Sequence, residues 1–134
     1  MIDVKTRNAI RSAIRRMWHK HPFRINALKR VEVREFELNK DGTPSKKVKV
    51  YYPCAKCGAK TKQVGTPLYS KLAVDHVNPV IRVDDPDIDL ISYCERLFIE
   101  DPLEVLCEPC HLQKSLTENA LRREHKARIK LNAS

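Results

Sequence analysis

The tightest constraint on this chain is a pair of short cysteine elements, Cys54-Ala-Lys-Cys57 and Cys107-Glu-Pro-Cys110, separated by 49 residues (58–106). Two residues between cysteines let both sulfurs reach one point from a single tight turn. Two such turns complete a tetrahedral four-sulfur shell, the arrangement Zn²⁺ prefers in closed structural sites. Gly58, directly after Cys57, suits the turn. The intervening segment must then be a compact excursion whose ends return to one place. A structural zinc contributes about 10–16 kcal/mol of binding linked to folding, which is decisive for 134 residues of which 32% are charged. Cys94 stands outside the pattern and reads as a small buried hydrophobe on an apolar helix face.

Other uses of the thiols fit less well. A dithiol redox centre wants a thioredoxin-like βαβ context, which surrounds neither pair. Cys-Glu-Pro-Cys-His also matches the haem-attachment pattern, but that chemistry accompanies export and leaves the first cysteine pair without a role. No uninterrupted apolar run exceeds three residues, so neither a transmembrane helix nor a signal-peptide core is expected. The expected location is the cytoplasm, where thiols stay reduced.

Charge is strongly segregated. Residues 1–71 hold 18 basic and 5 acidic side chains, residues 72–110 hold 2 and 10, and residues 111–134 hold 6 and 2. Two cationic ends thus flank an anionic middle, within a formal net charge of +9. Clustered cationic surface on a soluble protein favours nucleic acid, because neutralised phosphates release counterions.

Periodicity predicts an amphipathic helix over 6–18, with Ala9, Ile10, Ala13, Ile14 and Met17 on one face and Arg7, Arg11 and Arg15 recurring every four residues beside it. His21-Pro22 ends it. A short helical piece is expected around 23–30. Residues 31–38 and 46–52 read as strands joined by the turn-forming Lys-Asp-Gly-Thr-Pro-Ser, and the shift of apolar alternation from Val31/Val33 to Phe36/Leu38 predicts a bulge or a break. A short strand is expected near 71–76, a loop over 77–86, and a helix over 87–99 with Asp87 as its N-cap. The acidic run from Asp84 to Asp89 reads as a solvated loop leading into that helix. A strand runs into the second cysteine pair, and a long basic helix follows over 109–130. His19, His21 and His125 are expected on the surface.

Val74-Asp75-His76-Val77 lies between the cysteine pairs, and His111 follows the second pair directly. If one ion joins 54–57 to 107–110, the folded chain can bring Asp75, His76 and His111 together. A carboxylate and an imidazole suit a divalent cation, and a second imidazole can accept a proton from water near neutral pH.

Cys-x-x-C, then Asp-His, then Leu-Cys-x-x-Cys-His with a lysine three residues on, resembles the HNH (ββα-metal, His-Me finger) endonucleases over roughly residues 50–118. Arg7 to Phe23 and Tyr93-Cys-Glu-Arg-Leu-Phe98 resemble the small HNH proteins of tailed phages. The resemblance implies an α+β fold: a basic N-terminal helical arm (1–30), a zinc-stapled ββα-metal, treble-clef-like core (31–134), and a long basic C-terminal helix. It implies that Cys54, Cys57, Cys107 and Cys110 hold structural zinc. Asp75 and His111 would hold a catalytic Mg²⁺, Mn²⁺ or other divalent cation, and His76 would be the general base. Arg7, Arg11, Arg15 and Lys114 would contact DNA, and Ser115 stands where some relatives place a further ligand. One position departs: the family's middle Asn, which commonly pins the loop carrying the base, is Pro102 here, with Asp101 and Asn78 as possible stand-ins. The implied function is metal-dependent hydrolysis of DNA phosphodiesters. The departure leaves open a catalytically weak zinc-stabilised DNA-binding module, or an adaptor for phage packaging or replication proteins that uses the acidic segment. No membrane partner is expected.

Overall fold

The computed structural model describes residues 2–133. It is an α+β arrangement of four helices and one five-stranded sheet. The elements are α1 (Val4–Trp18), α2 (Pro22–Val31), β1 (Val33–Leu38), β2 (Pro44–Pro53), β3 (Lys60–Lys62), β4 (Ser70–His76), α3 (Leu90–Leu97), β5 (Leu103–Cys107) and α4 (Glu108–Ala133). Among the described residues no helix is long and apolar enough to cross a membrane.

Local chemistry sets the element ends. The Asp3 carboxylate accepts from Thr6 N at 2.6 Å and caps α1. Pro22 opens α2, where its missing N–H costs nothing, and His21 Nδ1 accepts from Phe23 N at 3.1 Å. The expected cap of α3 is corrected. Asp89, not Asp87, accepts from Ser92 N at 2.8 Å, so the helix begins at Leu90. The reason lies in the neighbouring apolar residues. Ile88, just before the cap, and Tyr93, at the fourth helical position, are both buried in one cluster, a hydrophobic staple that fixes the entry point. Asp87 instead stands exposed, facing Arg7 at 3.8 Å.

The strands run in the order β1-β2-β3-β4-β5. All neighbours are antiparallel except β3 and β4. The register of β1 on β2 shifts between Phe36 and Leu38, just beyond the step from Val33 to Phe36 at which the apolar alternation changes phase. β3 was not expected. Its three residues are too few to show a period, yet Thr61 is fully buried and its hydroxyl donates to Tyr52 O at 2.6 Å. β3 pairs with β4 only through Thr61–Ser70 and Lys62–Lys71, so beyond Lys71 that edge of β4 is left without a strand.

Two apolar clusters hold the layers together. Leu28 of α2 packs with Tyr52, Leu72 and Val105 of the sheet. Trp18 of α1 packs with Val80, Ile88, Tyr93 and Leu97. The segment expected as a basic arm therefore supplies interior residues, Trp18 at 3% exposure among them. Cys94 is half-buried rather than buried. α4 contributes no buried residue along its 26 positions and rests on β4 and β5.

Leu106 has no exposed surface and packs against Cys54 and Cys107. Leu106→Ala should cost about 2–5 kcal/mol in urea unfolding. Phe36→Ala, at a residue 73% exposed, should stay within about 0.5 kcal/mol.

Candidate functional site

The four cysteines come together as the spacing requires. Cys54 ends the run out of β2, Cys107 closes β5, and Cys110 lies in the first turn of α4. One ligand sulfur from each of Cys54, Cys57, Cys107 and Cys110 lies within 4.8 Å of all the others, with Cys57 and Cys107 sulfurs 3.6 Å apart. Tetrahedral zinc–thiolate bonds near 2.3 Å set sulfurs about 3.8 Å apart, so donor type and spacing suit Zn²⁺. The backbone builds the turn: Gly58 N donates to Cys54 O at 2.9 Å, and Gly58 has φ +75°, which an L side chain rarely adopts. Ala55 N donates to Val105 O at 2.8 Å, fastening the first turn to β5.

The thiols are electrostatically unequal. Burial pushes the Cys54 thiol up, but backbone N–H donors at Cys57, Cys107 and Lys56 outweigh it and bring the group down to about 6. Hydrogen bonding with Cys107 and Cys57 pushes Cys110 up to about 12. Burial raises Cys107 as well. Four sulfurs this close cannot all ionise unless a cation sits among them.

A cleft of about 880 Å³ runs beside this joint, lined by every residue of β4 from Lys71 to His76 and by His111, Ser115 and Glu118 of α4. Asp75 and His76 are consecutive on a strand and so point to opposite faces. They reach one cleft because the strand edge between those faces is uncovered beyond Lys71. Asp75, His76 and His111 thus share a cavity.

His76 is held from several sides. It shares the face of Leu72 and Val74, is 8% exposed, and its ring lies 5.0 Å from the Trp18 ring. Nε2 stands 2.7 Å from Leu97 O. A carbonyl only accepts, so Nε2 carries the proton and the Nδ1 lone pair is left free. Burial pulls the His76 pKa below its usual range, opposed by the Leu97 hydrogen bond and by Asp75. The neutral form of the ring is thereby favoured.

Asp75 Oδ2 meets the Lys114 ammonium at 2.7 Å. Lys114 also donates to His76 O at 2.6 Å and faces Glu104 at 3.6 Å and Glu118 at 4.0 Å. With its side chain only 13% exposed, it binds the end of β4 to α4. The loop after His76 is pinned by backbone: Val77 N donates to Pro102 O at 3.2 Å. Pro102 thus ties down this loop through its carbonyl, without an asparagine side chain.

The arginine stripe of α1 divides. Arg7 faces Asp87, and Arg11 donates to Ile88 O at 2.7 Å with its guanidinium 5.4 Å from the Tyr93 ring centre. Arg15 lines the cleft. Of the other histidines, His21 stacks on Trp18 with ring centres 5.8 Å apart and meets the Phe98 ring at a tilt, 5.0 Å away. The sequence held no sign of the Trp18–His76 contact or the Leu97 carbonyl, since both join segments far apart in the chain.

Comparison of the chain with known protein families, with curated proteins and with solved structures yields no match.

Two outcomes follow from the geometry. Chelation of the bound metal, or Cys107→Ser, should release one zinc equivalent per chain and abolish the cooperative melt; a metal-free variant with an unchanged melting curve would refute the joint. The NMR titration of His76 should have its midpoint below the ordinary 6.5. Unfolded chains then bind the proton more readily than folded ones, so this residue's contribution to stability is complete above that value and declines as pH falls through the gap.

Proposed function

We propose that the protein is a metal-dependent endonuclease of the HNH type, built on a zinc-stapled ββα-metal core and hydrolysing DNA phosphodiester bonds. The observation that carries this reading is the convergence of Asp75, His76 and His111 on one cleft beside the four-cysteine joint. Structural zinc at that joint would brace β5 and the start of α4, the elements that present His111.

A carboxylate and an imidazole suit a hard divalent cation such as Mg²⁺ or Mn²⁺, which takes few protein ligands and completes its shell with water and phosphate oxygens. Bound there, such an ion would stabilise charge developing on the phosphate and the leaving oxygen. Asp75 would hold it through Oδ1, because Lys114 engages Oδ2. His111, half-buried on the first turn of α4, would supply the second ligand. His76 would act as general base: Leu97 O fixes the tautomer, and Nδ1 is free to take a proton from the attacking water. Burial favours the unprotonated form of that nitrogen.

Lys114 supports the same reading from within the protein. It holds Asp75 and the backbone of His76 in fixed relation, which is what a preorganised site needs. The Pro102 carbonyl meets the objection that an asparagine is missing, since it restrains the loop after His76. The adaptor reading has less support, because part of its acidic contact segment is engaged within the chain. Asp85 pairs with Arg96 at 3.2 Å, Asp87 faces Arg7, and Asp89 caps α3.

Zinc-loaded protein should nick or cut supercoiled plasmid with Mg²⁺ or Mn²⁺ present. His76→Ala should lower the rate by at least about 10²-fold, the usual contribution of a positioned base, with zinc content and melting temperature preserved. Equal survival of the plasmid with wild type and His76→Ala would exclude the nuclease and leave a DNA-binding module.

A further inference from the structure

The cleft carries both signs of charge, but only some of it is paired. Asp75 of β4 and Glu118 of α4 are matched by Lys114 and Arg122, while Glu108 at the start of α4 lines the cleft without an ion-pair partner among the described residues. Arg15 of α1, His19 just beyond it, Arg24 of α2 and Lys71 of β4 also line the cleft. Among the described residues, none of these four has a carboxylate within 4.0 Å. Their side-chain partners are neutral: Arg24 donates to His19 O at 3.3 Å, and Arg15 Nε to Tyr93 Oη at 3.4 Å.

The four groups also stand near one another. Burial, and then the charges of Arg24, Arg15 and Lys71, hold the His19 imidazole below its ordinary range. Burial lowers the Arg24 guanidinium too. Three permanent cations gathered around an imidazole repel one another, and the low-dielectric wall behind Arg24 enlarges that cost. An anion with several acceptor oxygens is the ligand that relieves it. Guanidinium forks and an ammonium suit phosphate oxygens, which take bidentate and point contacts alike.

We propose that Arg15, His19, Arg24 and Lys71 form a phosphate subsite that holds a backbone phosphate of the DNA strand beside Asp75, His76 and His111. The identity of the anion as DNA rests on the nuclease reading. The cluster's arrangement does not. Arg24 and Lys71 come from segments whose basic residues carried no motif, and they meet Arg15 only because α1, α2 and β4 border the same cleft. The subsite fixes the strand's path: it crosses the exposed edge of β4 from Lys71 towards His76.

The test is fluorescence anisotropy of a labelled duplex with zinc-loaded His76→Ala protein, without added Mg²⁺, from about 50 to 200 mM salt. Arg24→Gln and Lys71→Gln, each added to that background, should weaken binding about 5–10-fold and reduce the salt slope by about 1. Lys40→Gln, on the exposed β1–β2 turn, should change affinity by less than about twofold, as a charge outside the subsite. Lys71 is an exposed side chain, so its variant keeps the fold, checked by an unchanged melt. Unaltered affinity in both subsite variants, or an equal loss with Lys40→Gln, overturns the subsite even if the wild type cleaves plasmid. Selective loss in the two subsite variants, with a wild type that never cleaves plasmid, supports the subsite and removes the nuclease instead. Failure of the parent protein to bind DNA overturns the subsite.

Discussion

Closure of four sulfurs about one point is the constraint from which the rest of the architecture follows. The joint ties the end of β2 to the end of β5 and the first turn of α4, segments about fifty residues apart in the chain. Without a cation the four thiols are at odds: Cys54 is drawn towards ionisation while Cys110 is pushed away from it. A divalent ion held among them would resolve the conflict and convert it into folding free energy. Because His111 follows Cys110 directly, the same closure sets where the first turn of α4 presents its imidazole.

The second determinant is a strand with one side left open. Alternation along β4 would ordinarily separate Asp75 from His76 across the sheet. A three-residue β3 leaves the edge between them uncovered, and both reach the cleft. Their restraints then come from different layers. α4 governs the carboxylate through Lys114, whereas α1 and α3 govern the imidazole through Trp18 and Leu97. A buried imidazole with a fixed tautomer next to a salt-bridged carboxylate is a contrast that neighbouring residues could not maintain in one shared environment.

Much of this was legible in the sequence, and the rest was hidden for physical reasons. The cysteine spacing announced the joint, and helical periodicity announced α1 and α4, because both signals are local. The bulge near Phe36 was also visible as a break in alternation. β3 was invisible because three residues carry no period. The cap of α3 was misplaced by two residues because Asp87 and Asp89 are equally good acceptors, and only the burial of Ile88 against Tyr93 chooses between them. The arginine stripe looked uniform, yet Arg7 and Arg11 turn towards α3 while Arg15 lines the cleft. That division depends on which neighbour each position meets, and a helical wheel holds no such information.

The indole of Trp18 separates two properties of the segment around the cysteines. A chain pared back to residues 50–118 would still contain all four sulfurs, Asp75, His76 and His111. It would lack the aromatic wall at 5.0 Å from the imidazole, and water would take its place. The minimal unit with all four sulfurs and the minimal unit with a buried His76 are therefore of different lengths, and the longer one includes Trp18.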